Sequence, residues 1–79
     1  MIVKVRLFAL TREIVGKTEM NQTLPEGSTL GDFSKVLFIA YPALESLKIR
    51  FALNMAYANL DTILHEADEI ACIPPVGGG

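Results

Sequence analysis

The sequence contains few of the residues on which most metal and catalytic sites depend. Its 79 residues include one cysteine, Cys72, one histidine, His65, and no tryptophan. A lone cysteine cannot form an internal disulfide, and together with one histidine it cannot supply the four ligands of a usual zinc site. The sequence therefore predicts neither a disulfide framework nor a metal centre, and a cytoplasmic location is the default expectation.

Positive charge and long apolar runs are also scarce. Seven Lys and Arg residues stand against nine Asp and Glu, a formal net charge of −2, whereas nucleic-acid-binding proteins usually carry a basic excess. No segment approaches the roughly 20 apolar residues that a membrane helix needs. Lys4 and Arg6 interrupt the apolar N-terminal segment, which favours a strand over a secretory signal. Nucleic acid and membrane are therefore not expected as partners.

The residues that are abundant are those of a small core, since 51% of the chain is hydrophobic. A chain of this length buries only about 60% of its unfolded surface, which leaves little room for a large internal cavity. Alternating apolar residues predict strands over Ile2–Ala9, Glu19–Leu24, Leu47–Asn54 and Glu69–Ile73, with a short strand near Tyr57. A helical turn is expected over Leu10–Val15, before Gly16.

One longer helix is predicted between the second and third strands. Thr29 and Asp32 have the spacing of a capping box at its start, and Pro42 ends it near Ala40 or Tyr41. Its expected buried stripe comprises Leu30, Phe33, Leu37 and Tyr41, widened by Val36, Phe38 and Ile39. One helix on a mixed sheet of four or five strands is an α+β arrangement, and the two apolar end strands are expected side by side.

No side chain of this sequence has the neighbours that catalysis needs, because a nucleophile requires a base and an orienting group. His65 is expected to be solvated in a polar loop, and Cys72 to lie in the core. The acidic residues Glu66, Asp68 and Glu69 lack a calcium-loop pattern and predict a solvated turn. The basic residues Lys4, Arg6, Lys48 and Arg50 are either ordinary solvated side chains or a docking surface for an acidic partner.

The C-terminal end is the unusual feature. Pro74 and Pro75 have restricted φ angles and predict an extended stem, which closes a domain over residues 1–76. Gly77, Gly78 and Gly79 are then expected to form a flexible tail slim enough to enter a narrow channel in a partner. This tail would present the carboxylate of Gly79, which needs activation by a partner before it can react. An ordinary frayed terminus is the alternative.

Residues Glu66–Gly79, with the sequence EADEIACIPPVGGG, resemble the C-terminal segment of the molybdopterin synthase small-subunit family. That family ends in Pro-Pro-Val, a variable residue and Gly-Gly. The opening strand with Arg12, Glu13 and Gly16, and the strand ending in Asn54, are similar to the family as well. Ala67 departs from a usual turn glycine, which puts the geometry of that turn in doubt, and Gly77 departs from a usual Ser or Thr.

The resemblance implies a ubiquitin-like β-grasp fold and a role as a sulfur carrier. An adenylyltransferase related to ubiquitin activators would use ATP to adenylate Gly79, and a sulfur donor would convert the adduct to a thiocarboxylate. The large synthase subunit, in an expected heterotetramer, would supply the catalytic side chains, so that the sulfur reaches cyclic pyranopterin monophosphate and forms molybdopterin. No permanently bound cofactor and no metal are implied for this chain.

An apolar patch at the root of the tail is the expected binding surface for the large subunit. It comprises Phe8, Ile73, Pro75 and Val76. The alternative is that Phe8 or Ile73 covers an edge of the sheet and binds no partner. Three other functions use the same sequence features: a thiamine-pathway sulfur carrier, a ubiquitin-like modifier joined to lysines, and an interaction module with an inert tail.

Overall fold

A mixed five-stranded sheet packed on one main helix forms the molecule. This is a computed structural model, and it describes residues 1–75; the predictions for Val76 and for Gly77–Gly79 lie outside the described residues. The strands are β1 (Ile2–Leu7), β2 (Glu19–Thr23), β3 (Arg50–Leu53), β4 (Ala56–Tyr57) and β5 (Glu69–Ile73). The helices are α1 (Leu10–Val15), α2 (Leu30–Ala40) and a 3-10 helix over Pro42–Leu47.

The strand order is β2-β1-β5-β3-β4, so the last strand lies in the centre of the sheet. Strands β1 and β5 are parallel, with Val5 opposite Ile70 and Leu7 opposite Cys72, and the other pairs are antiparallel. The predicted adjacency of the first and last strands is confirmed. The order and the single main helix are those of the β-grasp fold, as expected.

The start of α2 confirms the predicted capping box. The Thr29 hydroxyl accepts a hydrogen bond from the Asp32 backbone N–H at 3.1 Å, and the Asp32 carboxylate accepts one from the Thr29 N–H at 2.9 Å. These contacts, chiefly the one from the Thr29 backbone, lower the pKa of the Asp32 carboxyl. They satisfy N–H groups that the first helical turn leaves without partners.

The core lies between α2 and the inner face of the sheet. It contains these buried residues: Val3, Val5, Leu7, Leu24, Leu30, Phe33, Leu37, Leu44, Phe51, Leu64, Ile70 and Cys72. The predicted widening of the helical stripe was wrong at Ile39, whose side chain is 81% exposed. Ile39 lies two residues beyond Leu37, a rotation of about 200° around the helix, which turns it away from the sheet. Val36 is also exposed, whereas Phe38 is half-buried.

Two predicted strands were too long because residues in the left-handed region interrupt them. Ala9 has a φ of 52°, so β1 ends at Leu7, and Lys48 has a φ of 56°, so β3 begins at Arg50. Extended strands need negative φ, which neither residue adopts. Between α2 and β3, the residues from Pro42 to Leu47 form a 3-10 helix that buries Leu44.

The turn before β5 gives a stability prediction. Ala67 has a φ of 68°, the left-handed region that glycine favours. We expect Ala67→Gly to raise the free energy of unfolding by about 0.5–1 kcal/mol, because relief of this strain exceeds the added freedom of the unfolded chain. Chemical denaturation measures it. Ala43→Gly, at an exposed residue without positive φ, is the matched control and should destabilise slightly; equal effects of the two changes would contradict the prediction.

Candidate docking surface

The described part of the chain contains no cluster of metal-binding groups. Residues 1–75 hold no set of three or more His, Cys, Asp or Glu side chains arranged to bind a metal ion. The imidazole of His65 is 79% exposed, as predicted, and lies 3.9 Å from the Asp68 carboxylate. Over the same residues, no helix combines the length and the apolar character needed to cross a membrane.

Cys72 lies in the core with no exposed surface, which confirms the predicted packing role. Burial raises the pKa of its thiol to about 12. Because the thiolate is the nucleophilic form, a thiol of this kind is unreactive at neutral pH.

This shift predicts a specific pH dependence. In the unfolded chain the thiol of Cys72 ionises at about pH 8.5, whereas in the folded protein it keeps its proton up to a higher pH. The folded state therefore loses stability relative to the unfolded state as the pH rises from the unfolded pKa towards the folded pKa. We expect the free energy of unfolding of the natural protein, relative to Cys72→Ala, to fall by about 1–2 kcal/mol between pH 7 and pH 10. Parallel denaturation series measure it, and a constant difference would contradict it.

The outer face of the sheet, on the side opposite α2, is the candidate docking surface. Since side chains alternate along a strand, the buried Ile70 and Cys72 place Ala71 and Ile73 on this outer face. The register aligns Arg6 with Ala71, Ala71 with Ala52, and Ala52 with Tyr57. Two alanines therefore lie side by side at the centre, and longer side chains flank them.

Phe8 and Ile73 lie at the end of this outer face from which the C-terminal segment leaves the sheet. Phe8 follows β1 directly and is 41% exposed, and Ile73 is half-buried at the end of β5. Pro75 is exposed two residues further on. The structure thus brings three of the four predicted patch residues to one end of the sheet, whereas Val76 lies outside the described residues. That they bind a partner stays a prediction.

Thr11 connects Phe8 to the end of β5, a contact that sequence reasoning missed. Its buried hydroxyl accepts a hydrogen bond from the Phe8 N–H at 2.9 Å and lies 2.6 Å from the Phe8 carbonyl and 3.3 Å from the Cys72 carbonyl, to which it can donate. Thr11 therefore fixes the Phe8 turn against the strand that leads to the tail. A threonine four residues after the end of β1 was the local signal, but its partner Cys72 is 61 residues away.

Two of the predicted basic residues, Lys4 and Arg6, have acidic neighbours. Lys4 lies 4.0 Å from Glu19, and the Arg6 guanidinium lies 3.4 Å from Glu69. Arg6 also lies 5.7 Å from the centre of the Phe8 ring. These carboxylates pair with the basic residues of β1, whereas no carboxylate oxygen within residues 1–75 lies within ion-pair distance of Lys48 or Arg50.

The acidic turn was predicted to be solvated, and this was wrong for Asp68, whose side chain is only 13% exposed. Its carboxylate accepts hydrogen bonds from the His65 N–H at 2.7 Å and from the Asn54 side-chain amide at 3.0 Å. The Asn54 side-chain oxygen in turn accepts the Glu69 N–H at 3.0 Å. Asp68 and Asn54 thus fasten the β3–β4 hairpin to the start of β5.

The fold is that of ubiquitin-like β-grasp proteins, and comparison with known proteins identifies the family. The sequence matches the ThiS family over residues 5–79. It is 37% identical over 79 residues to the molybdopterin synthase sulfur carrier subunit of Arabidopsis thaliana, covering 98% of this chain and 82% of that protein. The chain therefore belongs to the ThiS family.

Solved structures agree with this assignment. The crystal structure of SAMP1, a small archaeal modifier protein from Haloferax volcanii, is similar with a TM-score of 0.88 at 30% identity, covering 100% of both chains. A chain in the complex of subunits 1 and 2 of the molybdopterin-converting factor from Helicobacter pylori is similar with a TM-score of 0.69 at 26% identity, again covering 100% of both chains. The predicted β-grasp fold and family resemblance are confirmed.

Proposed function

We propose that this protein is the sulfur carrier subunit of a molybdopterin synthase. The observation that carries the proposal is the similarity over 98% of the chain to a subunit of that name. The absence of a metal cluster within residues 1–75 and the inert, buried Cys72 agree with a carrier whose chemistry takes place at its C-terminus. A cytoplasmic location is part of the proposal, since a single free thiol needs no oxidising compartment.

The reactive group in this proposal is the carboxylate of Gly79. An ionised carboxylate is a poor electrophile, so a partner adenylyltransferase first transfers AMP from ATP to one carboxylate oxygen and releases pyrophosphate. A donor of sulfide-level sulfur then displaces AMP and leaves a thiocarboxylate. When that sulfur passes to cyclic pyranopterin monophosphate, water restores the Gly79 carboxylate. Gly77 and Gly78 lead this group into the active site of the large subunit, which supplies the catalytic side chains. ATP belongs to the activating enzyme, and this chain keeps no cofactor of its own.

The large synthase subunit binds, in this proposal, to the outer face of the sheet. The half-buried Ala71 has a small side chain and allows close approach of another backbone, and Phe8 and Ile73 supply apolar anchors beside the exit of the tail. Pro75 and Val76 extend the same surface. The Helicobacter pylori complex of subunits 1 and 2 supports a two-subunit assembly, and a heterotetramer is the proposed stoichiometry.

A ubiquitin-like modifier is the second candidate function. The similarity to the small archaeal modifier protein of Haloferax volcanii favours it, because that structure matches the whole chain at a TM-score of 0.88. Both functions require an activated Gly79, but the modifier transfers its acyl group to a lysine amine, whereas the carrier transfers sulfur.

Intact-mass measurement separates these functions. The protein is incubated with ATP, an adenylyltransferase of a molybdopterin pathway and a sulfur source, and is then weighed whole. Exchange of one oxygen for sulfur is the result expected for a carrier. Lysine-linked adducts would indicate the modifier instead, and an unchanged mass would contradict both.

Phe8 provides a test of the proposed surface. We expect Phe8→Ala to weaken binding of the large subunit by roughly ten-fold or more, because truncation removes a large aromatic anchor. The fold should be little affected, since the ring is 41% exposed. Titration calorimetry measures the affinity, with Tyr41→Ala as a control that keeps the outer face intact, because Tyr41 packs against the core on the helix side. Unaltered affinity would remove Phe8 from the interface.

A further inference from the structure

Strand β2 forms one edge of the sheet, and its side away from β1, the free edge, has no pairing partner within residues 1–75. In an antiparallel pair, opposite residues exchange hydrogen bonds at every second position, and the residues between them direct their backbone groups the other way. The Thr18 carbonyl accepts the Leu7 N–H at 2.9 Å. The Leu24 N–H donates to the Met1 carbonyl at 2.9 Å, so the backbone of β2 faces β1 at both of its ends. Alternation between these ends turns the N–H and C=O groups of three residues to the free edge: Glu19, Asn21 and Thr23.

A side-chain contact agrees with this direction. The Gln22 amide donates to the Thr23 carbonyl at 3.0 Å in an exposed position. A carbonyl oxygen has two lone pairs, so it can still accept a second hydrogen bond. The free edge therefore offers N–H donors and C=O acceptors in one continuous row.

Strand β2 lacks the features that usually protect an edge against further pairing. Its residues, EMNQT, include neither proline nor lysine, and its register with β1 runs without a bulge over all five positions. The opposite edge strand, β4, has only two residues. The structure thus leaves one long regular edge to which another extended strand can add, and β1 separates this edge from β5.

The sequence of β2 is complementary to a second copy of itself. When two copies pair antiparallel with Asn21 opposite Asn21, Glu19 of each copy lies opposite Thr23 of the other. All the residues that face the free edge then form hydrogen-bonded pairs, and no like charges lie opposite each other. A shift by two residues in one direction places Glu19 opposite Pro25, which has no N–H to donate. A shift in the other direction places Thr23 opposite Lys17, outside the strand, so only one register pairs the whole edge.

Charge favours the same register. It brings Lys17 of each copy opposite Pro25 of the other and thus next to Glu26. Within residues 1–75, no carboxylate oxygen lies within ion-pair distance of Lys17, and the Glu26 side chain is 81% exposed. Two-fold symmetry forms this pair of opposite charges twice. A second copy of this chain is therefore the partner that the edge fits.

We infer that two copies of this chain associate through the free edges of their β2 strands and join their sheets into one. The contacts are backbone groups at an edge, whereas the surface proposed for the large subunit consists of side chains on the outer face near Phe8 and Ile73. The inference does not depend on the proposed sulfur chemistry. Because only five residues of each copy pair, the interface is small, and we expect a dissociation constant on the order of 0.1–1 mM.

A dilution series of the full-length protein, followed by amide NMR shifts and by sedimentation equilibrium, tests this association. Between about 2 mM and about 0.02 mM, we expect the backbone amide shifts of Glu19, Asn21 and Thr23 to follow one dimerisation curve. The average mass from sedimentation should follow the same curve. Asn21→Lys should raise the dissociation constant at least about ten-fold, because it places two ammonium groups directly opposite each other.

Asn59→Lys is the matched control, since it makes the same substitution at an exposed residue after β4. The dissociation constant of this variant should stay within about two-fold of that of the natural protein. Lys17→Glu should weaken association by about three-fold, and the double change Lys17→Glu with Glu26→Lys should restore it, because the two opposite charges are exchanged.

Several results would overturn the inference. They are a protein that stays monomeric over this range, an equal loss of association in Asn59→Lys and Asn21→Lys, and concentration-dependent shifts that map to Phe8 and Ile73. It is also overturned if the β2 amides shift only on addition of the large subunit, which would make that subunit the partner of the strand. None of these results bears on the proposed sulfur chemistry.

Discussion

Removal of Gly78 and Gly79 should abolish sulfur transfer while leaving the stability of the domain nearly unchanged. Within residues 1–75 the buried core ends at Cys72 and the last strand at Ile73, and we expect the stability of this domain not to depend on the two glycines. The truncated chain ends in the carboxylate of Gly77 and lacks the Gly79 carboxylate on which the proposed reaction depends. We expect the rate of sulfur transfer to fall at least about a hundred-fold, because the truncation removes the reacting group itself and not merely one binding contact. Single-turnover assays and thermal unfolding measure the two quantities.

Two matched variants accompany this truncation. Gly77→Ser keeps the length and the terminal Gly-Gly pair, and it should retain most of the activity. One extra residue after Gly79 should block transfer as completely as the truncation does, because it converts the reactive carboxylate into an amide. Full activity from an extended chain that has not been processed would refute the proposed chemistry.

Ala71→Arg should reduce binding of the large subunit by at least about a hundred-fold, the second large effect that we expect. Ala71 lies between Arg6 and Ala52 at the centre of the outer face, so a long cationic side chain there holds the partner away and adds charge beside Arg6. The inner-facing core residues stay in place, so the protein should remain folded. Calorimetric titration measures the affinity.

Thr23→Arg is the control for this substitution. Thr23 is an exposed residue of the edge strand β2, far along the sheet from Ile73, and receives the same side chain. The affinity of the Thr23→Arg variant for the large subunit should stay within about two-fold of that of the natural protein. Equal losses of affinity in the two variants would assign the effect to the added charge alone. An unchanged affinity of the Ala71→Arg variant would exclude the outer face as the interface, while the proposed sulfur chemistry would remain possible.

Local signals made most of the fold predictable. The capping box at Thr29 and the stop at Pro42 depend on neighbours within a few residues, and both were confirmed. The strand ends at Ala9 and Lys48 were not predictable, because their left-handed backbones occur at residues other than glycine, where sequence gives no warning. Ile39 is apolar yet exposed, so composition alone could not place it.

The positions of the candidate surface residues were predictable only where the alternation of side chains along a single strand determines which face of the sheet they occupy. Alternation along β5 placed Ile73 on the outer face. The contact of Thr11 with Cys72 and the stacking of Arg50 on Tyr57 depend instead on how separate segments meet in the folded chain. Asp68 shows the same limit, since its burial depends on a contact with Asn54, which is 14 residues away along the chain.

The central position of β5 affects how the protein is made. Strands β1 and β3 have no direct pairing, so residues 69–73 must be available before either can complete its hydrogen bonds. A chain still attached to the ribosome, with this strand inside the exit tunnel, therefore cannot close its sheet. Folding of the sheet must wait until residues 69–73 have left the tunnel, and a nascent chain arrested before Glu69 would remain open to proteases and chaperones.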